Sequence, residues 1–308
     1  MRRILLALLA LILLAAPVLA AAPLPDWQSP LGREHPLVGT VWDARAGTKI
    51  TPEALVQNLA ARRFVLLGEK HDNPDHHRLQ AWVVAALIAA GRTPAVAFEM
   101  FRADQADAIA RHLAVSPSDA QGLGDALDWR RSGWPAWSMY EPIAAAALAA
   151  KLPLVAANLS PAATAAARRG TLEPAEITRL GLDRPLPDQV RQRLADEIRD
   201  GHCGQLPEQH IAPFVGVQRA RDAHMAAAMR DAGGKGAVLI AGVGHARRDM
   251  GVPRLLPENE TATVAFVEVR DGMTAPPPVP VDYVWLTPRL DDHDPCETFR
   301  KSLENISR

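Results

Sequence analysis

Four apolar runs in this sequence each end in a residue that can do chemistry. Residues 64–67 run into Gly68, Glu69, Lys70 and His71. Residues 95–98 lead to Glu99, residues 154–157 to Asn158, and residues 237–241 to Gly242, Val243, Gly244 and His245. Two imidazoles and one or two carboxylates converging on one rim can hold a divalent cation and leave a position open for water or substrate. The spacing offers His71, Glu99 and His245 as ligands. Glu69, two residues before His71, is then a general base or a hydrogen-bond partner that orients a ligand. Any one of these residues alone is better read as a helix cap or an ion-pair partner; their shared position after apolar runs argues for a functional edge.

The elements that must position them follow from the pattern between the runs. Thr51-Pro52 and Asn73-Pro74 each read as an N-cap with proline in the first helical turn, opening helices to about residue 62 and to Gly91. An Ala-rich helix is expected at about 141–151, and residues 160–232 read as helix after helix. Runs at 263–269 and 281–286 look like further strands. Short strands buried on both faces and separated by helices indicate βαβ units. The expected fold is therefore α/β: a mainly parallel central sheet flanked by helices, with a smaller all-helical subdomain. The α/β core takes about 37–158 and 233–287, the helical part about 160–232, and a polar tail 291–308. Ligands bind outside the carboxyl ends of the strands in such a sheet, the edge where Glu69, His71, Glu99, Asn158 and His245 fall.

Other clusters weigh less. Trp129, Trp134, Trp137 and Tyr140 read as a packed corner, and His76 and His77 as a solvated first helical turn. On the long helix His210, Phe214, Val217, Arg221 and His224 recur at roughly helical spacing. Such a stripe is ordinarily core with polar ends, but an apolar face with His beside Arg also suits an amphiphilic porphyrin carrying two carboxylates. Gln218 and Asp222, one turn apart, lie on a neighbouring face that can reach the sheet edge. The sequence has no His-Glu-x-x-His, no Gly-x-Ser-x-Gly, no P-loop and no Cys-x-x-Cys-His, which argues against helical zinc proteases, nucleophile-elbow hydrolases, P-loop enzymes and covalent c-type haem.

Lys and Arg number 34 against 35 Asp and Glu, so no large single-sign field exists to hold nucleic acid. Arg2 and Arg3 precede an apolar stretch and then Ala20, Ala21 and Ala22, the order of a secretory signal peptide over residues 1–22 with cleavage after Ala20 or Ala22. Cleavage would remove two Arg and no acid, taking the formal charge from −1 to −3. No Cys lies near the cut, so a lipoprotein is not expected. Cys203 and Cys296 are the only cysteines, and a chain bound for an oxidising compartment can pair them.

Taken together, several motifs resemble the ChaN-like haem-binding uptake proteins of the Tiki/TraB/erythromycin-esterase-like group. They are residues 65–77 (Val-Leu-Leu-Gly-Glu-Lys-His-Asp-Asn-Pro-Asp-His-His), 97–101, Trp134-Pro-Ala-Trp137 with Tyr140, Ala157-Asn-Leu159, His202-Cys203, 218–222, 240–249 and Gly251-Val-Pro253. The resemblance covers about 35–290. It implies a periplasmic or secreted protein that binds haem for iron acquisition or transport, a homodimer formed around haem, and an outer-membrane haem-uptake receptor as partner. It also ties haem to tyrosine ligation, for which this chain has only Tyr140 and Tyr283, with His210 as a substitute and Arg221 and His224 on the same expected haem face. The wider group implies a second reading, a metal-dependent hydrolase in which His71, Glu99 and His245 hold the ion and Glu69 activates water.

Overall fold

A computed structural model describes residues 23–294, 296 and 297; the expected leader at 1–22 and most of the polar tail lie outside the described residues. The strands are β1 (Val41–Asp43), β2 (Thr48–Ile50), β3 (Phe64–Glu69), β4 (Ala95–Arg102), β5 (Leu154–Asn158), β6 (Ala237–Gly242), β7 (Thr261–Glu268) and β8 (Tyr283–Thr287). The helices before β5 are α1 (Pro52–Ala60), α2 (Pro74–Ala89), α3 (Ala106–Val115), α4 (Ala120–Ala126) and α5 (Trp137–Ala149). Between β5 and β6 come α6 (Pro161–Arg169), α7 (Pro174–Leu180), α8 (Asp188–Gly201) and α9 (Glu208–Asp231), and α10 (Val243–Ala246) follows β6.

All eight strands form one sheet in the order β2-β1-β8-β7-β3-β6-β4-β5. The six from β8 to β5 are parallel, as the separated apolar runs predict. β1 and β2 add antiparallel pairs beyond β8, and three residues apiece leave no apolar run to read. Alternation along the parallel strands divides the core between the two faces. Val65, Leu67, Val96, Phe98, Val238 and Ile240 pack with α2 and α5, whereas Phe64, Leu66, Ala95, Ala97 and Leu239 pack with Met225, Ala226 and Met229 of α9. Trp285, Tyr140, Phe98 and Phe101 are fully buried, each gaining roughly 1.5–3 kcal/mol from leaving water.

Register brings the rim together. Glu69 of β3 pairs with Gly242 of β6, and Phe98 of β4, just before Glu99, pairs with Ile240. Three adjacent strands therefore end at one level. The chain leaves β3 into α2 on one face and leaves β6 through α10 toward the other, so the strand ends lie between the two layers.

Cys203 and Cys296 form a disulfide with Cα atoms 5.5 Å apart, tying the end of α8 to the C-terminal segment. The loop closed spans 93 residues, for which chain entropy predicts about 4–5 kcal/mol of stabilisation. No helix among the described residues is long and apolar enough to cross a membrane.

Candidate functional site

The site is built from the turn that follows β3. Asn73 caps α2 by accepting from the backbone N–H of Asp75 and His76, and Pro74 supplies the first helical residue without a donor to satisfy. The cap also lays the first turn of α2 over the strand ends, so His76 and His77 are fully buried rather than solvated. Their ring nitrogens meet opposite chemistry. His76 Nδ1 accepts from Lys70 N–H at 2.9 Å, leaving Nε2–H for Thr287 Oγ1 at 2.9 Å, the bonding of a neutral ring. Burial, then the charges of His77 and Lys70, push its pKa down to about 3.

His77 has no acceptor role to play. Its Nε2 lies 2.8 Å from the His71 carbonyl and its Nδ1 3.2 Å from Gln80 Oε1. Gln80 cannot turn to present its amide nitrogen, because that nitrogen donates to the Leu67 carbonyl at 2.9 Å. Both nitrogens of His77 must donate, so the ring is an imidazolium. Burial opposes that charge, but the Glu69 carboxylate beside it raises the pKa overall.

Glu69 is the partner. Its Oε1 accepts from His71 Nδ1 at 2.9 Å and from the Tyr140 hydroxyl at 3.2 Å, while Oε2 sits 3.1 Å from His77 Nδ1 with no hydrogen bond directed at it. Burial pushes the carboxyl up, yet His77 and His71 outweigh burial and hold it well below the usual carboxylate range. Tyr140 is shifted the other way, first by burial and then by Glu69. Tyr140 is therefore more than packing in the Trp129 and Trp137 corner.

A second ion-paired group lies beside it. His245 points Nδ1 at Asp222 Oδ1, 2.5 Å away, and Nε2 at Glu99 Oε1, 3.3 Å away. Glu99 Oε2 accepts from Gly242 N–H at 2.8 Å, and Gln218 Nε2 lies 3.2 Å from the nearer His245 ring nitrogen. Asp222, His245 and Glu99 are all buried. Burial disfavours the charged imidazole, but Glu99 and Asp222 carry its pKa to about 10; burial likewise raises Glu99, and His245 with His71 brings it down to about 2. Asp222, for which burial prevails, is raised.

His71 joins the two groups. Bonded to Glu69 through Nδ1, it directs Nε2 toward Gly242, where a Cβ would lie 2.9 Å from that nitrogen, so only glycine fits at the end of β6. Its ring meets Trp134 edge-on at 4.9 Å, and its side chain is 36% exposed, whereas those of Glu69, His77, Glu99, Asp222 and His245 are 7% exposed or less. The row thus has three carboxylates and three imidazoles, and His71 is the member that reaches solvent.

This arrangement corrects several expectations. His71, Glu99 and His245 do meet, but as ion pairs: both nitrogens of His245 face carboxylates, and no group of three or more His, Cys, Asp or Glu poised to hold a metal exists among the described residues. Glu69, expected to activate water, is sealed beneath His71 and Tyr140. Asn158 turns its Oδ1 to the N–H of Leu159 on the outermost strand and takes no part. The expected haem face does not assemble. His210 and His224 are fourteen residues apart on α9, about 21 Å along the axis. His210 is exposed, His224 lies 3.3 Å from Arg179 and near Glu176, and Arg221 keeps a buried Nε without a hydrogen bond. Gln218 and Asp222 do reach the sheet edge, at His245.

Comparison with known proteins assigns the family. The family model described as haem-binding uptake, Tiki superfamily, ChaN matches residues 55–256. The chain belongs to this ChaN family. Among solved structures, that titled cofacial heme binding to ChaN of Campylobacter jejuni is 23% identical, with a TM-score of 0.64 over 80% of this chain and 95% of that one. At this identity the likeness speaks for the ChaN fold. The type III effector HopBA1 (16% identity, TM-score 0.44, 77% and 92% covered) and the erythromycin esterase EreC in an open conformation (14%, 0.43, 80% and 81%) are more distant. The sequence matched no curated protein.

Proposed function

We propose that this protein binds haem and serves in haem uptake or transport from the periplasm or outside the cell. The observation that carries this reading is membership of the ChaN haem-binding family across residues 55–256. The Campylobacter jejuni ChaN structure is described as binding heme cofacially, which supports a second copy of this chain as the partner across paired haems. An outer-membrane receptor that hands haem over is the further partner this reading calls for.

The donors of this structure fit haem only in part. Tyr140 is sealed against Glu69, and the α9 face does not assemble. Tyr283 lines a cleft of about 1340 Å³ with Trp42, Pro276, Pro277 and Pro278; Arg45, Arg62 and Arg248 also line it, Arg248 paired with Asp282 at 2.6 Å. An apolar wall, a phenol and guanidiniums are the chemistry that a porphyrin iron and its propionates accept. His210, exposed in the first turn of α9, is the other open donor. Haem titrated into purified protein is expected to give a saturable Soret band, altered in position or affinity by Tyr283→Phe or by His210→Ala. A flat titration at micromolar protein overturns the haem reading; a normal titration in both variants moves the ligand elsewhere.

One observation favours a second reading, hydrolysis. A solvent-facing imidazole oriented by a buried carboxylate is the arrangement of a general base, and His71 on Glu69 has it. In this reading His71 Nε2 takes the proton of water or of a hydroxyl, Glu69 fixes the ring, and His77 and Tyr140 hold Glu69 ionised. Ester hydrolysis that disappears in His71→Ala and falls at least tenfold in Glu69→Gln would support it; equal rates in wild type and both variants would overturn it.

A further inference from the structure

A second cavity, of about 690 Å³, lies between α7, α8, α9 and the segment after α10, and of the residues in the haem and acid–imidazole readings only Asp222 lines it. Its composition is unusual for a solvent-filled gap. Arg179, Arg184, Arg219, Arg230 and Arg254 all line it, and the one acid in its wall is Asp222, already engaged with His245.

Most of these charges lack an ion-pair partner. Arg179 alone has a carboxylate, Glu176 at 2.6 Å. Arg219 donates to the backbone carbonyl of Arg184 and Arg230 to that of Leu255, bonds that use N–H groups but leave the charge in place. Among the described residues neither Arg184, Arg219, Arg230 nor Arg254 forms an ion pair within 4 Å. Burial, then repulsion from Arg254, lowers the pKa of Arg219, and Asp183 offsets this only in part, so two like charges are held near one another. Such a cluster at a concave surface focuses field on an incoming anion.

The rest of the wall is apolar. Leu180, Leu186, Leu194, Met250 and Leu256 line the cavity, and Leu255, one of three large hydrophobic side chains exposed among the described residues, stands in its wall at 39% exposure. A bare inorganic anion gains nothing from these side chains; a hydrocarbon body does. Guanidinium forks match a planar carboxylate two bonds at a time.

We infer that this cavity is a binding site for an amphipathic carboxylate, a fatty-acid-like molecule whose head meets Arg184, Arg219 and Arg254 and whose apolar body lies along the leucines and Met250. The inference stands apart from haem binding: it concerns a different cavity and needs no axial donor.

The test is a fluorescence titration of the full disulfide-bonded protein with a polyene fatty acid whose emission rises on leaving water. Saturable binding with one site per chain is expected, weakened at least tenfold in Arg184→Glu and in Arg254→Ala. Arg184 is exposed and its side chain makes no bond that holds the fold, so its replacement leaves the unfolding midpoint in place. Acetate at the same concentration is expected not to displace the probe, because it lacks the apolar body. Absence of saturable binding, affinity unchanged in both variants, or full displacement by acetate would each overturn the inference. Haem titrated separately reports on the proposed function without bearing on this one.

Discussion

Replacing His245 with leucine removes the cation from between two buried carboxylates while keeping most of the volume. Glu99 would retain the Gly242 N–H, and Asp222 would lose its 2.5 Å partner. Removing one member of a buried ion pair costs roughly 3–5 kcal/mol, because the charge left behind is uncompensated. At roughly 2 °C per kcal/mol for a chain of this size, the expected fall in Tm near pH 7 is about 6–10 °C. The pH dependence separates charge from shape. In the wild type, the His245 pKa of about 10 against 6.5 gives stability that is complete below pH 6.5 and lost as pH rises through 10. Glu99, at about 2 against 4.5, gives stability that is complete above pH 4.5 and lost as pH falls through 2. Without the imidazolium, burial raises Glu99 instead, so the folded variant takes up a proton above the unfolded value and its deficit shrinks as pH falls from 8 toward about 4.5. Urea unfolding of both proteins from pH 3 to pH 8 measures this, and adding Glu99→Gln to the variant should recover stability at pH 7. A loss below about 1 kcal/mol, or a deficit constant from pH 4 to pH 8, would refute the paired-charge account.

Other substitutions test the frame around the row. Asn73→Ala removes the α2 cap together with bonds to Ser29, Glu268 and the Pro288 carbonyl, so unfolding should show about 2–3 kcal/mol lost rather than the ~1 of a simple cap. Asn73→Asp keeps the cap but sets a carboxylate against Glu268, 2.8 Å from the present amide, and should not rescue it. Reducing the Cys203–Cys296 disulfide should lower stability by up to about 4–5 kcal/mol, read as a shift in the urea midpoint with and without reductant. Gly236→Ala and Gly272→Ala both meet positive φ, at +82° and +78°. The first also places Cβ 2.0 Å from the Arg63 carbonyl and the second meets nothing within 4 Å, so Gly272→Ala should cost about 1 kcal/mol and Gly236→Ala clearly more.

The parallel strands and the rim were legible because a strand buried on both faces reads as an unbroken apolar run, and Glu69, Glu99 and His245 interrupt that run where the chain turns. What one strand end does to another was not legible. Glu69 and Gly242 meet through register between strands 173 residues apart in sequence, and no local spacing reports whether imidazoles so gathered face a metal or face carboxylates. The burial of His76 and His77 had a signal that helical spacing alone misses. An Asn-Pro cap directly after a rim strand leaves the first turn of α2 no direction but across the strand ends, where His76 meets Thr287 and His77 meets Glu69. Tyr140 looked like packing because its ring does pack; its hydroxyl is what reaches the site.

The stripe on α9 misled for a physical reason that also explains Asp222. A helix with one buried face shows one apolar stripe, but α9 is covered on several sides. Ile211 and Val215 pack with α8, Val217 and Ala220 with α6, Ala223 and Ala227 with α7, and Met225, Ala226 and Met229 with the sheet. On such a helix the face that His210, Arg221 and His224 share is divided among neighbours: His210 is exposed, while His224 meets Arg179 and Glu176 of α7. A carboxylate placed there has the opposite meaning. Asp222 is 3% exposed on a helix with packing all round, where burying an uncompensated charge is costly, so a partner within bonding distance is expected. Arg254 draws its pKa down only as a minor influence, and the group within reach is His245. The polar residue that interrupts a buried helix, more than the stripe beside it, is the one that reaches the site.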